Sequence, residues 1–288
     1  MTRVVLIGEA MTELSGTGEL RRVSYGGDTL NTAIHLARRG CDVAYLTALG
    51  RDPFSEGMRA AWVAEGLDTS LVLDHPTRTS GLYAISTDAE GERSFTYWRD
   101  NSAARDLFSL PGINAALAEA EKADLVVYSL ITLAILPEAA RTRLLALNAR
   151  VAFDSNYRPR LWPDATTAAT VRDAAIARAS IGLPTLEDEI QMSGETTADA
   201  VGLNWQSRGC IETVVKMGVM GCRLPVGDII APTKRLSPID TSGAGDAFNA
   251  GYLHAHMFGA TPTEAAKEGH HLAGQVLNHP GAIPLFSV

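Results

Sequence analysis

An α/β fold is predicted here, with a mostly parallel central sheet, helices on both of its faces and a small β flap serving as a lid. Three observations predict it. Short, near-continuous apolar runs recur along the chain. Stretches with apolar residues at three- and four-residue spacing separate several of them. One segment breaks this alternation with two runs rich in β-branched and aromatic residues around a glycine-containing turn. Strands apolar on both faces and alternating with helices mark a parallel sheet covered on both sides.

The strand-like runs are residues 4–7, 43–48, 125–128, 151–153, 181–183 and 213–215. The first helical stripe is Leu30, Ala33, Ile34 and Ala37, ended by Gly40, with Asp28 or Thr29 as its expected N-cap. Residues 81–87 and 93–98 should pair as a hairpin around a turn at 88–92. With residues 12–25 they are too few for a second domain. The economical arrangement is one domain over residues 1–288, with a lid formed by residues 12–25 and 80–99 over the strand ends. Such a lid excludes water from a reacting site.

Composition narrows the function. A chain of 288 residues, 46% hydrophobic and 20% charged, has the make-up of an ordinary globular protein with a sizeable core. Its formal net charge of −8 argues against nucleic acid or an acidic membrane surface as partner. An anionic substrate must then be captured by a few local Arg or Lys residues. Cys41, Cys210 and Cys222 are scattered and form no C-x-x-C pair, which suits a reducing cytoplasm and neither a disulfide framework nor a zinc site. The apolar stretch 125–136 is too short to span a bilayer and stops at Pro137, so a soluble, cytoplasmic protein is expected.

The chemistry is concentrated in Thr241-Ser242-Gly243-Ala244-Gly245-Asp246, which runs into a helix pattern. Small residues let consecutive N–H groups converge, and a helix start adds its positive dipole end. That is an anion hole. A carboxylate on its rim, Asp246, is placed to orient a hydroxyl for attack on a phosphoryl group. Near the other end of the chain, Gly26-Gly27-Asp28-Thr29-Leu30-Asn31 allows close approach of a ligand to backbone, with the Asn31 amide available to a polyol. Absent are G-x-x-x-x-G-K-[ST] and an early G-x-G-x-x-G, so neither a P-loop nor a dinucleotide fold is indicated.

Both strings resemble signatures of the PfkB/ribokinase family of carbohydrate kinases. The string beginning at Asp240 is similar to its Asp-Thr-x-Gly-Ala-Gly-Asp, and Gly26 to Ala33 to its Gly-Gly-x-x-x-Asn-x-Ala. The resemblance spans nearly the whole chain and implies a ribokinase-like fold, ATP as phosphoryl donor and Mg²⁺ as cofactor. Within the family, Tyr97-Trp98-Arg99 and Asn156-Tyr157-Arg158-Pro159-Arg160-Leu161-Trp162 resemble the subgroup acting on 2-keto-3-deoxygluconate, a sugar acid. The implied roles are as follows. Asp246 is the base, in the turn Gly243-Ala244-Gly245. Gly27, Asp28, Asn31, Tyr83, Tyr97, Arg99 and Arg158 hold the sugar acid. Asn156, Lys216, Gly218, Gly221, Gly243, Gly245 and His270 face the nucleotide. Asp188 stands where the family's Asn-x-x-Glu organises Mg²⁺, with Thr185 in place of the Asn. The family's flaps pair across a two-fold axis, which implies a homo-oligomer, a dimer through the lid. The alternatives are a kinase for fructose or ketodeoxygalactonate and a catalytically silent sugar-binding regulator.

Overall fold

A computed structural model describes residues 2–16, 20–87 and 93–286, with the side chains of Thr87 and Arg93 excepted. Seven strands form one parallel sheet in the order Glu212–Thr213, Ile181–Gly182, Val151–Asp154, Leu125–Ser129, Arg3–Ile7, Asp42–Leu49 and Val72–Asp74. The chain winds outward in one direction from Arg3–Ile7 and in the other from Leu125–Ser129. These two central strands are neighbours, and the strand order reverses between them. Ligands of open α/β sheets bind beyond the carboxyl ends of strands at such a switch point.

Alternation along Arg3–Ile7 explains why the sheet is covered on both faces. Val5 and Ile7 enter one buried cluster with residues of the helices Ile113–Ala120 and Ala165–Ile176. Val4 and Leu6 enter the opposite cluster, under Asp28–Ala37, Ala244–Met257 and Pro262–Leu277. With every strand position facing apolar neighbours, near-continuous hydrophobic runs are the expected sequence signal.

The lid is a four-stranded sheet in the order Arg22–Gly26, Met11–Ser15, Gly81–Thr87, Arg93–Trp98. The expected hairpin register is present, pairing Tyr83 with Tyr97 and Ile85 with Phe95. Its expected turn at 88–92 lies outside the described residues.

Two local expectations are corrected. The first helix starts at Asp28 with Gly27 as N-cap and no side-chain cap bond. Tertiary partners have claimed the two candidate caps: Asp28 Oδ2 accepts from Asn156 Nδ2 at 2.9 Å, and Thr29 Oγ1 bonds the Tyr45 hydroxyl at 3.0 Å. The run 213–215 is also divided. Glu212–Thr213 closes the main sheet, whereas Val215–Lys216 joins a small antiparallel sheet with Cys222–Arg223 and Ile229–Ile230.

Candidate active site

Gly243 is the N-cap of the Ala244–Met257 helix at φ +71°, a conformation glycine adopts without a Cβ penalty. A Cβ there would also lie 2.4 Å from that of Ala282. Asp240 fixes the approach to this turn, accepting from Ser242 N at 2.9 Å and from Gly281 N at 2.7 Å. The Ala247 N–H makes the helix's first bond, to Gly243 O at 2.8 Å, and the Ala244 N–H leans back to Thr241 O at 3.4 Å. The N–H groups of Gly245 and Asp246 therefore form the open end of the helix.

Asp246 hangs from this turn on the floor of a cavity of about 760 Å³ beneath the lid. Its Oδ2 accepts from Asn31 Nδ2 at 2.8 Å, and its backbone carbonyl from Thr32 Oγ1 at 3.2 Å. Burial raises the carboxyl pKa to about 8, helped by the nearby Asp28 and Asp154 carboxylates and opposed by the Asn31 bond and Lys216. A carboxylate so raised is a competent proton acceptor close to neutral pH.

Gly27, Asp28, Asn31, Tyr83, Tyr97, Arg99 and Arg158 all line this cavity. Their engagements differ. Arg99 and Glu9 form a buried ion pair at the roots of the lid. The Tyr83 hydroxyl donates to Glu13, and burial pushes its pKa upward. Tyr83 stacks on Tyr97, with ring centroids 5.7 Å apart. Arg158 is 46% exposed, with Asp188 Oδ1 at 3.8 Å, and so keeps reach into the cavity. Arg160, from the same loop, lies 3.6 Å over the Tyr97 ring and bridges that loop to the lid. Asn156 lines this cavity too, and its Nδ2 donates to Asp28 Oδ2.

A second cavity of about 590 Å³ opens on the far side of the turn, lined by Gly218, Gly221, Ala244, Gly245, Phe248 and His270 among others. The two share Thr185, Glu187, Lys216, Thr241, Ala244 and Gly245, so they meet at the N-terminus of the Ala244–Met257 helix. Lys216 Nζ is anchored there, 3.0 Å from both Asp154 Oδ2 and Asn249 Oδ1. Asn249 Nδ2 closes the triangle on Asp154 at 2.6 Å. Gly218 and Gly221 belong to the turn joining Val215–Lys216 to Cys222–Arg223. His270 Nε2 bonds the Ile230 carbonyl at 2.8 Å and burial lowers its pKa, so a neutral imidazole faces this cavity.

Asp188 lies on the larger cavity only, with Oδ2 accepting from Tyr157 N at 3.1 Å and burial raising its pKa. Its neighbour Glu187 is exposed and borders both cavities. Glu9, Glu13, Asp154, Arg160 and Glu187 are among the lining residues that the sequence alone does not single out. The Glu187-Asp188-Glu189 run was visible but reads equally as a charged helix start. The three acids do occupy the first turn of the Leu186–Ser193 helix, but Glu189 turns inward and pairs with buried Arg172 at 3.0 Å. Among the described residues no three His, Cys, Asp or Glu side chains converge as a metal cage, and no helix is long and apolar enough to cross a membrane.

With this geometry in view, the sequence matches the pfkB family of carbohydrate kinases over residues 1–287. It is 38% identical over 299 residues to a 2-dehydro-3-deoxygluconokinase of Dickeya dadantii, covering 97% of this chain and 96% of that protein. The enzyme of the same name in Escherichia coli K12 is 38% identical over 298 residues, covering 98% and 96%. A PfkB protein from Polaromonas superposes with a TM-score of 0.86 at 27% identity, covering 96% of each chain. A Thermotoga maritima 2-dehydro-3-deoxygluconokinase gives 0.84 at 19% identity, covering 99% and 97%, and so shares the fold.

Proposed function

From the premise that this chain belongs to the pfkB family of carbohydrate kinases, we propose that it transfers the γ-phosphoryl group of ATP to the terminal hydroxyl of 2-keto-3-deoxygluconate. The observation that carries this reading is the pairing of Asp246 at a helix N-terminus with a lidded cavity holding an exposed guanidinium, Arg158. A neutral sugar gives an arginine in such a pocket nothing to neutralise, whereas a sugar acid supplies the carboxylate. Relatives at this identity carry the same activity in their names.

Gly27, Asp28 and Asn31 bind sugar hydroxyls in this reading, and Tyr83, Tyr97, Arg99 and Arg158 receive the acid end. The nucleotide occupies the smaller cavity, along Gly218, Gly221 and His270, with its phosphates turned to Lys216, Gly243 and Gly245. Asp246 accepts a hydrogen bond from the acceptor hydroxyl and takes its proton as the new bond forms. The open N–H groups at the helix start and its dipole stabilise charge on the transferring group. The lid excludes water that would otherwise compete as acceptor.

Mg²⁺ fits the donor set. Glu187, bordering both cavities, and its neighbour Asp188, on the larger one, offer hard carboxylate oxygens, and an ion that travels with nucleotide phosphates needs only one or two protein carboxylates besides its waters. When bound, Mg²⁺ neutralises phosphate charge. The lid's outer face carries Val23 at 52% exposure and Trp98 at 57%, beside Leu14 and Leu82, and supports pairing of two copies through the lid. Three buried free cysteines support a cytoplasmic setting.

The test is ADP release with Mg-ATP and 2-keto-3-deoxygluconate, ketodeoxygalactonate, fructose or ribose, for wild type and Arg158→Ala. Preference for ketodeoxygluconate is expected, with KM raised at least about tenfold in the variant, as for loss of a charge-assisted contact. Turnover of a neutral sugar alone would overturn the substrate, and no ADP with any sugar would overturn the kinase assignment.

A further inference from the structure

Two consecutive residues of the Asp28–Ala37 helix grip Asp246 from the far end of the chain. Asn31 Nδ2 donates to its Oδ2 at 2.8 Å, and Thr32 Oγ1 donates to its backbone carbonyl at 3.2 Å. Asn31 is 6% exposed and borders the cavity, and its own Oδ1 has no partner among the described residues. We propose that Asn31 is a positioning residue for phosphoryl transfer, fixing one oxygen of Asp246 so that the other meets the acceptor hydroxyl, and favouring the ionised carboxylate. The proposal rests on Asp246 acting as the base.

The charges around Asp246 explain why such a donor is needed. Asp28, on the same helix as Asn31, and Asp154, at the end of its strand, both disfavour a second negative charge. Tyr83, above on the lid, is neutral and commits its proton to Glu13. Lys216, from the small sheet, favours the carboxylate, but its ammonium is already bonded to Asp154 and Asn249. Asn31 bonds the carboxyl directly, and an N–H donor stabilises a carboxylate more than it stabilises the neutral acid. The helix geometry adds to this. Asp246 is the third residue of Ala244–Met257 and Asn31 the fourth of Asp28–Ala37, so the carboxyl lies by the first turns of two helices, where the positive dipole ends favour negative charge.

An asparagine that only binds a sugar hydroxyl would alter KM and leave the ionisation of Asp246 alone. The test is therefore the pH dependence of kcat/KM for wild type, Asn31→Ala, Asn31→Ser and Asn31→Asp, with whichever tested sugar the wild type turns over fastest. Loss of the donor in Asn31→Ala should move the acid limb up by about one pH unit, the scale of one hydrogen bond to a charged group. Activity near pH 7 then falls about tenfold and returns at higher pH. Asn31→Asp places a like charge beside the base and should move the limb further. Asn31→Ser, the smaller polar change, should also move it upward and serves if Asn31→Ala does not fold, as judged by thermal melting. An unmoved acid limb with a raised KM would overturn the proposal. Wild type that phosphorylates only a neutral sugar overturns the sugar-acid reading and leaves this test intact, whereas wild type inert on every sugar overturns both.

Discussion

Gly243→Ala introduces a Cβ that would lie 2.4 Å from the Ala282 Cβ and 2.8 Å from its Cα, atoms with no flexible side chain to swing aside. The position is also held at φ +71°. A left-handed conformation costs a non-glycine residue about 1–2 kcal/mol, and overpacking typically adds about 1–3 kcal/mol. The expected destabilisation is therefore about 2–5 kcal/mol. Gly245→Ala, two residues on, should behave oppositely. The nearest atom to its added Cβ is Lys216 Nζ, 3.8 Å away, and the residue is inside the helix. There alanine is favoured over glycine by about 0.5–1 kcal/mol, so stability should hold or rise. The new methyl would nonetheless stand where the two cavities meet, on the path the proposed transfer gives the phosphoryl group. A displacement of about 1 Å there lowers the rate roughly 100-fold. Urea unfolding and ADP release, measured on both variants, separate the two effects. A wild-type midpoint for Gly243→Ala, or full activity for Gly245→Ala, would refute this account of the turn.

Asp246→Asn should lower kcat by about 10²–10⁴ with little change in KM, as expected for loss of a general base. The same variant should be more stable than wild type near neutral pH. The native carboxyl titrates at about 8, whereas an unfolded Asp ionises near its ordinary value. Between those values the native state holds the extra proton, so wild-type stability falls as pH rises, and the amide variant escapes that loss. Its melting advantage should grow from pH 4 to pH 8 and then level off; a constant difference would argue against the raised pKa. Lys216→Met leaves Asp154 buried without its cation and should cost about 3–5 kcal/mol in urea unfolding. A loss under about 1 kcal/mol would mean that the pair is well solvated.

What was legible in the sequence was local. The parallel sheet could be read because strands buried on both faces show it as unbroken apolar runs, and the turn at Gly243 because only small residues fit there. What stayed hidden were partners. Residue type shows that Asn31 can donate and that Arg99 carries a charge. Only the fold shows that Asn31 reaches Asp246 and that Arg99 is met by Glu9, 90 residues away. Asn156 illustrates the same limit. Its motif placed it beyond a strand end, but its partner there, Asp28, sits on a different element. The break after Thr213 was illegible because Val214 and Val215 continue the apolar pattern while the chain passes from one sheet to another.

These partners bear on how an acidic protein selects an acidic substrate. Among the described residues bordering the larger cavity, the cations are Arg99, Arg158, Arg160 and Lys216, and carboxylates outnumber them. Counting charges alone would make the cavity hostile to an anion. Pairing does not reverse that excess, since Glu13, Asp28, Glu187, Asp188 and Asp240 still face Arg158 and Arg160, but it singles out which cations keep charge to offer. Arg99 is compensated by Glu9 and Lys216 by Asp154, while Asp246 is held largely protonated at neutral pH. The half-exposed Arg158, with Asp188 no nearer than 3.8 Å, keeps charge to offer, and Arg160 stands beside it against the lid. Under the proposed function, discrimination between a sugar acid and a neutral sugar would fall mainly on the loop carrying Arg158 and Arg160. Arg99, locked to Glu9, contributes a fixed hydrogen-bonding fork more than a net charge.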